Sequence, residues 1–283
     1  MISDHRCFFC FVRAFEKLLE KESISDEAKS SFTLDMISLY QNKRNNFSAP
    51  LFSRELHHIL RSYTHNSDPY KDVKKESNDQ AISMLSELEY IIRQSEDHFT
   101  TALRLAIAGN IIDFAASDNF NLQSTIESAL LNEFAIDHSE QLRKKIGVAK
   151  TILYLGDNAG EIVFDKLFIQ TINHPGLTYV VRGEPVINDA TMEDAEYVGM
   201  HEIANVISNG YDAPSTIPEK SDKQFQKYFR QADLIISKGQ GNLEGLFPSN
   251  DERIFFLLMV KCDVIAEFLK VKKDSLVIYN SSY

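Results

Sequence analysis

The sequence predicts an α/β layer protein, in which a helical N-terminal region precedes a domain built on a parallel central sheet. Three observations carry this expectation. Residues 1–95 place apolar side chains at helical spacing and show no sustained period-two alternation. From about Ala149 short apolar runs alternate with helix-length segments, the pattern of strands joined by crossover helices. Each of the first four runs is followed by a polar, glycine-containing loop.

In the helical region, Phe8, Phe11, Val12, Phe15, Leu18 and Leu19 follow the three-and-four spacing of one helix face, and Ile82, Leu85, Leu88, Ile91 and Ile92 repeat it. Ser67-Asp68-Pro69-Tyr70 reads as a loop, since proline restricts both its own φ and the preceding residue. His57-His58 reads as a surface pair on a helix. The segment 103–114 is apolar nearly all round, the mark of a buried helix, yet Gly109 stands within it at a cost of roughly 1 kcal/mol relative to alanine. Asn110 and Asp113 share a face of that segment and need polar partners, either at a helix join or in a wall of the active site. Residues 119–150 read as a helical connection into the sheet. The expected strands are 151–155, 177–181, 203–207, 234–237 and 276–279.

Composition narrows the function. In 283 residues, 30 Lys and Arg stand against 41 Asp and Glu, a formal charge of −11. That argues against proteins that grip a nucleic-acid backbone or an anionic membrane, and leaves room for an acidic enzyme of small metabolites. The longest apolar runs, such as 254–260, fall far short of the roughly 18 to 20 residues that cross a bilayer. The N-terminus, with Asp4, His5, Arg6 and Arg13, does not read as a secretory signal. Three cysteines cannot build a disulfide framework, so a cytoplasmic protein is expected. Cys7-Phe8-Phe9-Cys10 is half of a zinc-site spacing with no second pair, and it opens a helix; packed thiols are expected ahead of an accessory metal or redox contact.

The chemistry collects after the strands. The first loop is Gly156-Asp157-Asn158-Ala159-Gly160-Glu161, the second runs from Arg182-Gly183 to Asn188-Asp189, the third is Ser208-Asn209-Gly210, and the fourth is Lys238-Gly239-Gln240-Gly241-Asn242. In an open parallel sheet these carboxyl ends converge on one crevice. Asp157, Asn158 and Asp189 supply hard oxygen donors that suit Mg²⁺ or Mn²⁺, and Arg182 and Lys238 add positive charge for a phosphate. Each loop alone would pass as an ordinary capped turn. Their recurrence at one sheet edge points to metal-assisted phosphoryl chemistry.

These residues, with Cys7-x-x-Cys10, Asp68-Pro69-Tyr70, Gly109-Asn110 with Asp113, Asn188-Asp189-Ala190-Thr191 and Lys261-Cys262, resemble the metal-dependent damage-control phosphatases. The resemblance runs in order over nearly the whole chain, and its Cys-x-x-Cys start is that of the stand-alone microbial branch. It implies a Rossmann-like three-layer α/β/α domain over 96–283 beside the helical region 1–95. It also implies a divalent metal (Mg, Mn, Co or Ni) on Asp157, Asn158 and Asp189, a phosphate contact from Lys238, and Asn110 and Arg182 as site-lining residues. The implied activity is hydrolysis of small phosphorylated metabolites, such as sugar phosphates or cofactor-precursor phosphates. Asp157 and Lys238 are then the catalytic candidates. The second acid found two positions on in aspartyl-phosphate enzymes is here Ala159, which favours water over Asp157 as nucleophile. Two other readings stand beside it: an S-adenosylmethionine-dependent carboxyl methyltransferase, opposed by the missing glycine-rich cofactor loop, and a non-enzymatic metal- or nucleotide-sensing module.

Overall fold

The computed structural model describes residues 4–109, 126–127 and 130–283. Six helices come first: α1 (His5–Lys21), α2 (Asp26–Lys43), α3 (Ala49–Thr64), α4 (Lys71–Ser83), α5 (Leu85–Gln94) and α6 (His98–Gly109). Their starts follow local chemistry. Asp4 caps α1 by accepting from the Arg6 backbone N–H, and Ser25 caps α2 by accepting from that of Ala28. The single helix expected around 82–92 is two, broken at Met84.

The sheet has seven strands: β1 (Ile136–Asp137), β2 (Ile152–Leu155), β3 (Leu177–Val181), β4 (Asn205–Ser208), β5 (Leu234–Lys238), β6 (Ile254–Met259) and β7 (Leu276–Tyr279). Between them lie α7 (Ser139–Val148), α8 (Glu161–Ile172), α9 (Met192–Tyr197), α10 (Lys223–Gln231), α11 (Gly239–Leu246) and α12 (Asp263–Leu269). The spatial order is β1-β7-β6-β5-β2-β3-β4. Strands β2 to β6 are parallel, but β7 runs antiparallel to β6, so the sheet is mixed and corrects the all-parallel expectation. Two strands were not foreseen. β1 lies within the segment read as helical connection, and β6, buried through Leu258, shows no alternation and was legible only as an apolar run.

Successive strand residues face opposite layers. Ile152, Tyr154, Ile236 and Phe255 pack with α6 and α8 on one face, while Leu153, Leu155, Ile235 and Phe256 pack with α10, α11 and α12 on the other. Helices α1 to α3 keep a separate core around Phe15, Phe32, Phe52 and Leu56. Helices α4 and α5 contribute Ala81, Leu88 and Ile92 to the sheet's core, so residues 1–95 are shared between two cores. Among the described residues no helix is long and apolar enough to cross a membrane.

Candidate active site

β2 pairs with both β3 and β5, and the chain winds away from it in opposite directions, so the loops leaving β2 and β5 part at the carboxyl edge. Their backbones approach closely there. A side chain at Gly239, whose φ is +78°, would overlap the Asp157 carboxylate, and one at Gly156 would overlap the Tyr179 hydroxyl. Asn158 and Asp189 form an isolated antiparallel bridge that laces the β2 loop to the β3 loop. Flanking it, Ala159 N–H donates to the Asn188 carbonyl and Ala190 N–H to that of Asp157, each at 2.8 Å. The two expected acids are thereby held side by side.

Their surroundings are charged and dry. Arg182 Nε donates to Asp189 Oδ2 at 2.5 Å, Nη1 to Thr216 Oγ1 at 3.1 Å and Nη2, at 3.5 Å, to Asp157 Oδ1. Asn158 Nδ2 donates to Asp157 Oδ2 at 2.9 Å and Glu161 Oε2 at 3.2 Å, which leaves its carbonyl oxygen as the end available to a cation. Lys238 closes the chain from behind: its Nζ donates to Glu161 Oε1 at 2.6 Å, Asp165 Oδ1 at 2.5 Å and the Ala106 carbonyl at 2.8 Å. Asp165 in turn accepts from the Tyr154 and Tyr179 hydroxyls at 2.7 and 2.9 Å.

Asp157, Glu161, Asp165 and Asp189 are all buried, as are Arg182 and Lys238, so four carboxylates face two cations. Burial and mutual repulsion show in the titration of the acids. Burial, then the Glu161 and Asp189 charges, push Asp157 up to about 7 against the opposing pull of Arg182 and Lys261. Burial likewise raises Asp189, again against Arg182. Burial lowers the Lys238 ammonium, but Asp165 and Glu161 outweigh it and the net shift is upward. Two carboxylates and an amide oxygen fit a hard divalent cation that keeps positions open for water and phosphate. Among the described residues no group of three His, Cys, Asp or Glu side chains offers an all-protein metal cage.

Asp157, Asn158 and Asp189 border a crevice of about 620 Å³ between the sheet edge and α1. Lys238 and Arg182 lie behind it, with their charged ends engaged by carboxylates and exposures of 0% and 2%. The expected Asn110, with Asp113, lies outside the described residues. A lysine that does border the crevice is Lys261, which follows β6 and is exposed. It went without a role in the sequence because β6 was not read as a strand, so its loop was not counted at the carboxyl edge. Glu161 and Asp165 were also missed, although two acids four apart among the buried apolar residues of α8 are a legible signal.

Comparison with known proteins agrees with this arrangement. The family model described as the damage-control phosphatase ARMT1-like domain matches residues 3–277. The chain belongs to the damage-control phosphatase family. It is 32% identical over 284 residues to the damage-control phosphatase PH1575 of Pyrococcus horikoshii, covering 99% of this chain and 98% of the relative. It is 34% identical to the uncharacterized protein MJ0202 of Methanocaldococcus jannaschii, covering 94% and 91%, and 34% identical to a damage-control phosphatase of Archaeoglobus fulgidus, covering 74% and 75%. The crystal structure of the Pyrococcus protein, a DUF89 family protein, superposes with a TM-score of 0.89 at 31% identity, covering 99% of each chain.

In this member of the family the helical region meets the sheet through polar contacts. Arg54 and His58 both engage Asp212, Arg61 donates to the Pro185 carbonyl, and Asn78 accepts from Gly160 N–H at 2.7 Å while donating to Asp194 at 2.9 Å. His57 and His58 are therefore not a surface pair: His57 is buried against Phe15, and burial followed by the Arg61 charge pulls it down to about 3. Cys7, Cys10 and Cys262 are free thiols along the crevice, and burial pushes Cys7 up to about 11, leaving it protonated at neutral pH.

Proposed function

We propose that this chain is a divalent-metal-dependent phosphatase hydrolysing small phosphorylated metabolites of the sugar-phosphate or cofactor-precursor kind, with the cation on Asp157, Asn158 and Asp189. The observation that carries the reading is the placing of buried Asp157 and Asp189 beside Asn158 at the wall of the crevice, their loops laced together by a backbone bridge. A cation bound there supplies charge neutralisation at the phosphoryl oxygens and a more acidic attacking water. Lys261, exposed at the crevice, takes the substrate phosphate and offsets charge on its oxygens. Arg182 orients the two acids from beneath. Glu161 holds the Asn158 amide nitrogen and so aims its carbonyl oxygen, and Lys238 pairs with Glu161 and Asp165 in a dry interior. A carboxylate stands where a cofactor-binding glycine loop would need to be, so nothing in the geometry favours methyl transfer.

The test is hydrolysis of p-nitrophenyl phosphate with Mg²⁺, Mn²⁺, Co²⁺ or Ni²⁺, beside the chelated protein. The proposal expects turnover only with metal, and loss of both turnover and metal binding in Asp189→Ala. Unchanged turnover in the presence of chelator would overturn it.

A further inference from the structure

The walls of the crevice carry two kinds of chemistry. Charged and polar side chains, among them Asp157, Asn158, Asp189, Lys261, Arg13 and Gln240, line it, and Phe9, Pro50, Ile187 and Pro214 present apolar surface to the same space. A polyol pressed against such a surface would leave hydroxyls without partners. Two of these apolar residues also stand against their local rules. Helix α1 buries Phe15, Leu18 and Leu19 on its inner side, yet Phe9 on another side remains 56% exposed. Ile187 holds φ +46°, a left-handed conformation that asparagine or glycine adopts with far less strain than a β-branched residue. It does so immediately before Asn188 and Asp189, and strain of this kind gathers where a ligand is gripped.

We infer that the substrate is a phosphomonoester whose alcohol carries an aromatic or extended aliphatic group. Its phosphate sits at Asp157, Asp189 and Lys261, and its apolar part lies against Phe9 and Ile187. The inference rests on the phosphatase reading and narrows it, away from bare sugar phosphates. A volume of about 620 Å³ is ample for a phosphate joined to a ring or chain, and falls in the range of small-ligand sites.

The experiment compares 1-naphthyl phosphate with a hexose phosphate on the metal-loaded protein, and measures binding of naphthyl phosphonate, which is not hydrolysed, by calorimetry. The naphthyl ester should show the lower KM by about tenfold, the worth of one apolar face removed from water. Phe9→Ser should cut the ratio of naphthyl to hexose kcat/KM, chiefly through KM. Ile187→Asn should do the same while raising the midpoint of thermal unfolding, so lost folding cannot explain the change. Phosphonate binding weakened by Phe9→Ser supports the inference even where neither ester turns over, an outcome that would sink the phosphatase reading alone. Equal kcat/KM for the two esters, or Phe9→Ser scaling both alike with phosphonate binding intact, would overturn the inference.

Discussion

Two lysines at the ends of neighbouring strands differ in burial, and the difference follows from side-chain direction. Lys238 is the last residue of β5 and shares a sheet face with Ile236, which sends it between the sheet and α8. Lys261 lies beyond the end of β6, in the loop that borders the crevice. Replacing Lys238 with Met leaves Glu161 and Asp165 uncompensated and should destabilise the fold by about 3 to 5 kcal/mol, read as a shift in urea unfolding. Lys261→Ala should leave unfolding within about 0.5 kcal/mol of wild type and lower kcat/KM by roughly 10² to 10³. Asp157 supplies a pH prediction. Its raised pKa means that the metal-free protein holds a proton there below about 7, which a cation must displace. Metal affinity should therefore fall as pH drops from 8 to 6, measured by calorimetric titration at each pH. Asp157, Asn158 and Asp189 were legible as candidates because they lie in loops, where residue type alone announces chemistry. The burial of Lys238 was not legible, because a lysine at a strand end looks the same whether it turns into the loop or into the core.

At the scale of elements, the crevice exists because β2 and β5 are neighbours that lead in opposite directions, and because α1 spans the opening. The alternation of apolar runs with helices was readable, and so was the carboxyl edge. β6 was not, since a strand buried on both faces lacks the period-two signature, and β1 is only two residues long. The reversal of β7 also left no mark in the sequence, because polarity along a strand does not record its direction. The core of α1 to α3 carries a titratable group of its own. His57 falls from 6.5 to about 3 on folding, so the unfolded chain binds more protons between those values and stability is lost as pH falls below 6.5. Between pH 6.5 and 5 the loss should amount to about 2 kcal/mol. The raised Asp157 and Asp165 act in the opposite sense over the same range, so the contribution is isolated by difference. His57→Phe should abolish it, seen as a variant that gains about 2 kcal/mol of stability relative to wild type as pH falls from 6.5 to 5.

For the whole molecule, the charge of −11 and the recognition of an anionic ester are compatible because the compensation is local. The acid excess repels extended polyanions at a distance, while on the proposed reading a divalent cation and Lys261 would answer a single phosphate inside one crevice. Part of that excess is structural to the site, since Asp157, Glu161, Asp165 and Asp189 outnumber the buried cations beside them. The central claim is that these acids hold one divalent cation on which hydrolysis depends. It is tested most directly by titrating Mn²⁺ into chelated protein while following both bound metal and p-nitrophenyl phosphate turnover, in wild type and in Asp157→Asn. The account predicts one cation per chain in wild type, turnover rising in proportion to its occupancy, and neither in the variant; metal-dependent turnover near the wild-type level in Asp157→Asn would contradict it.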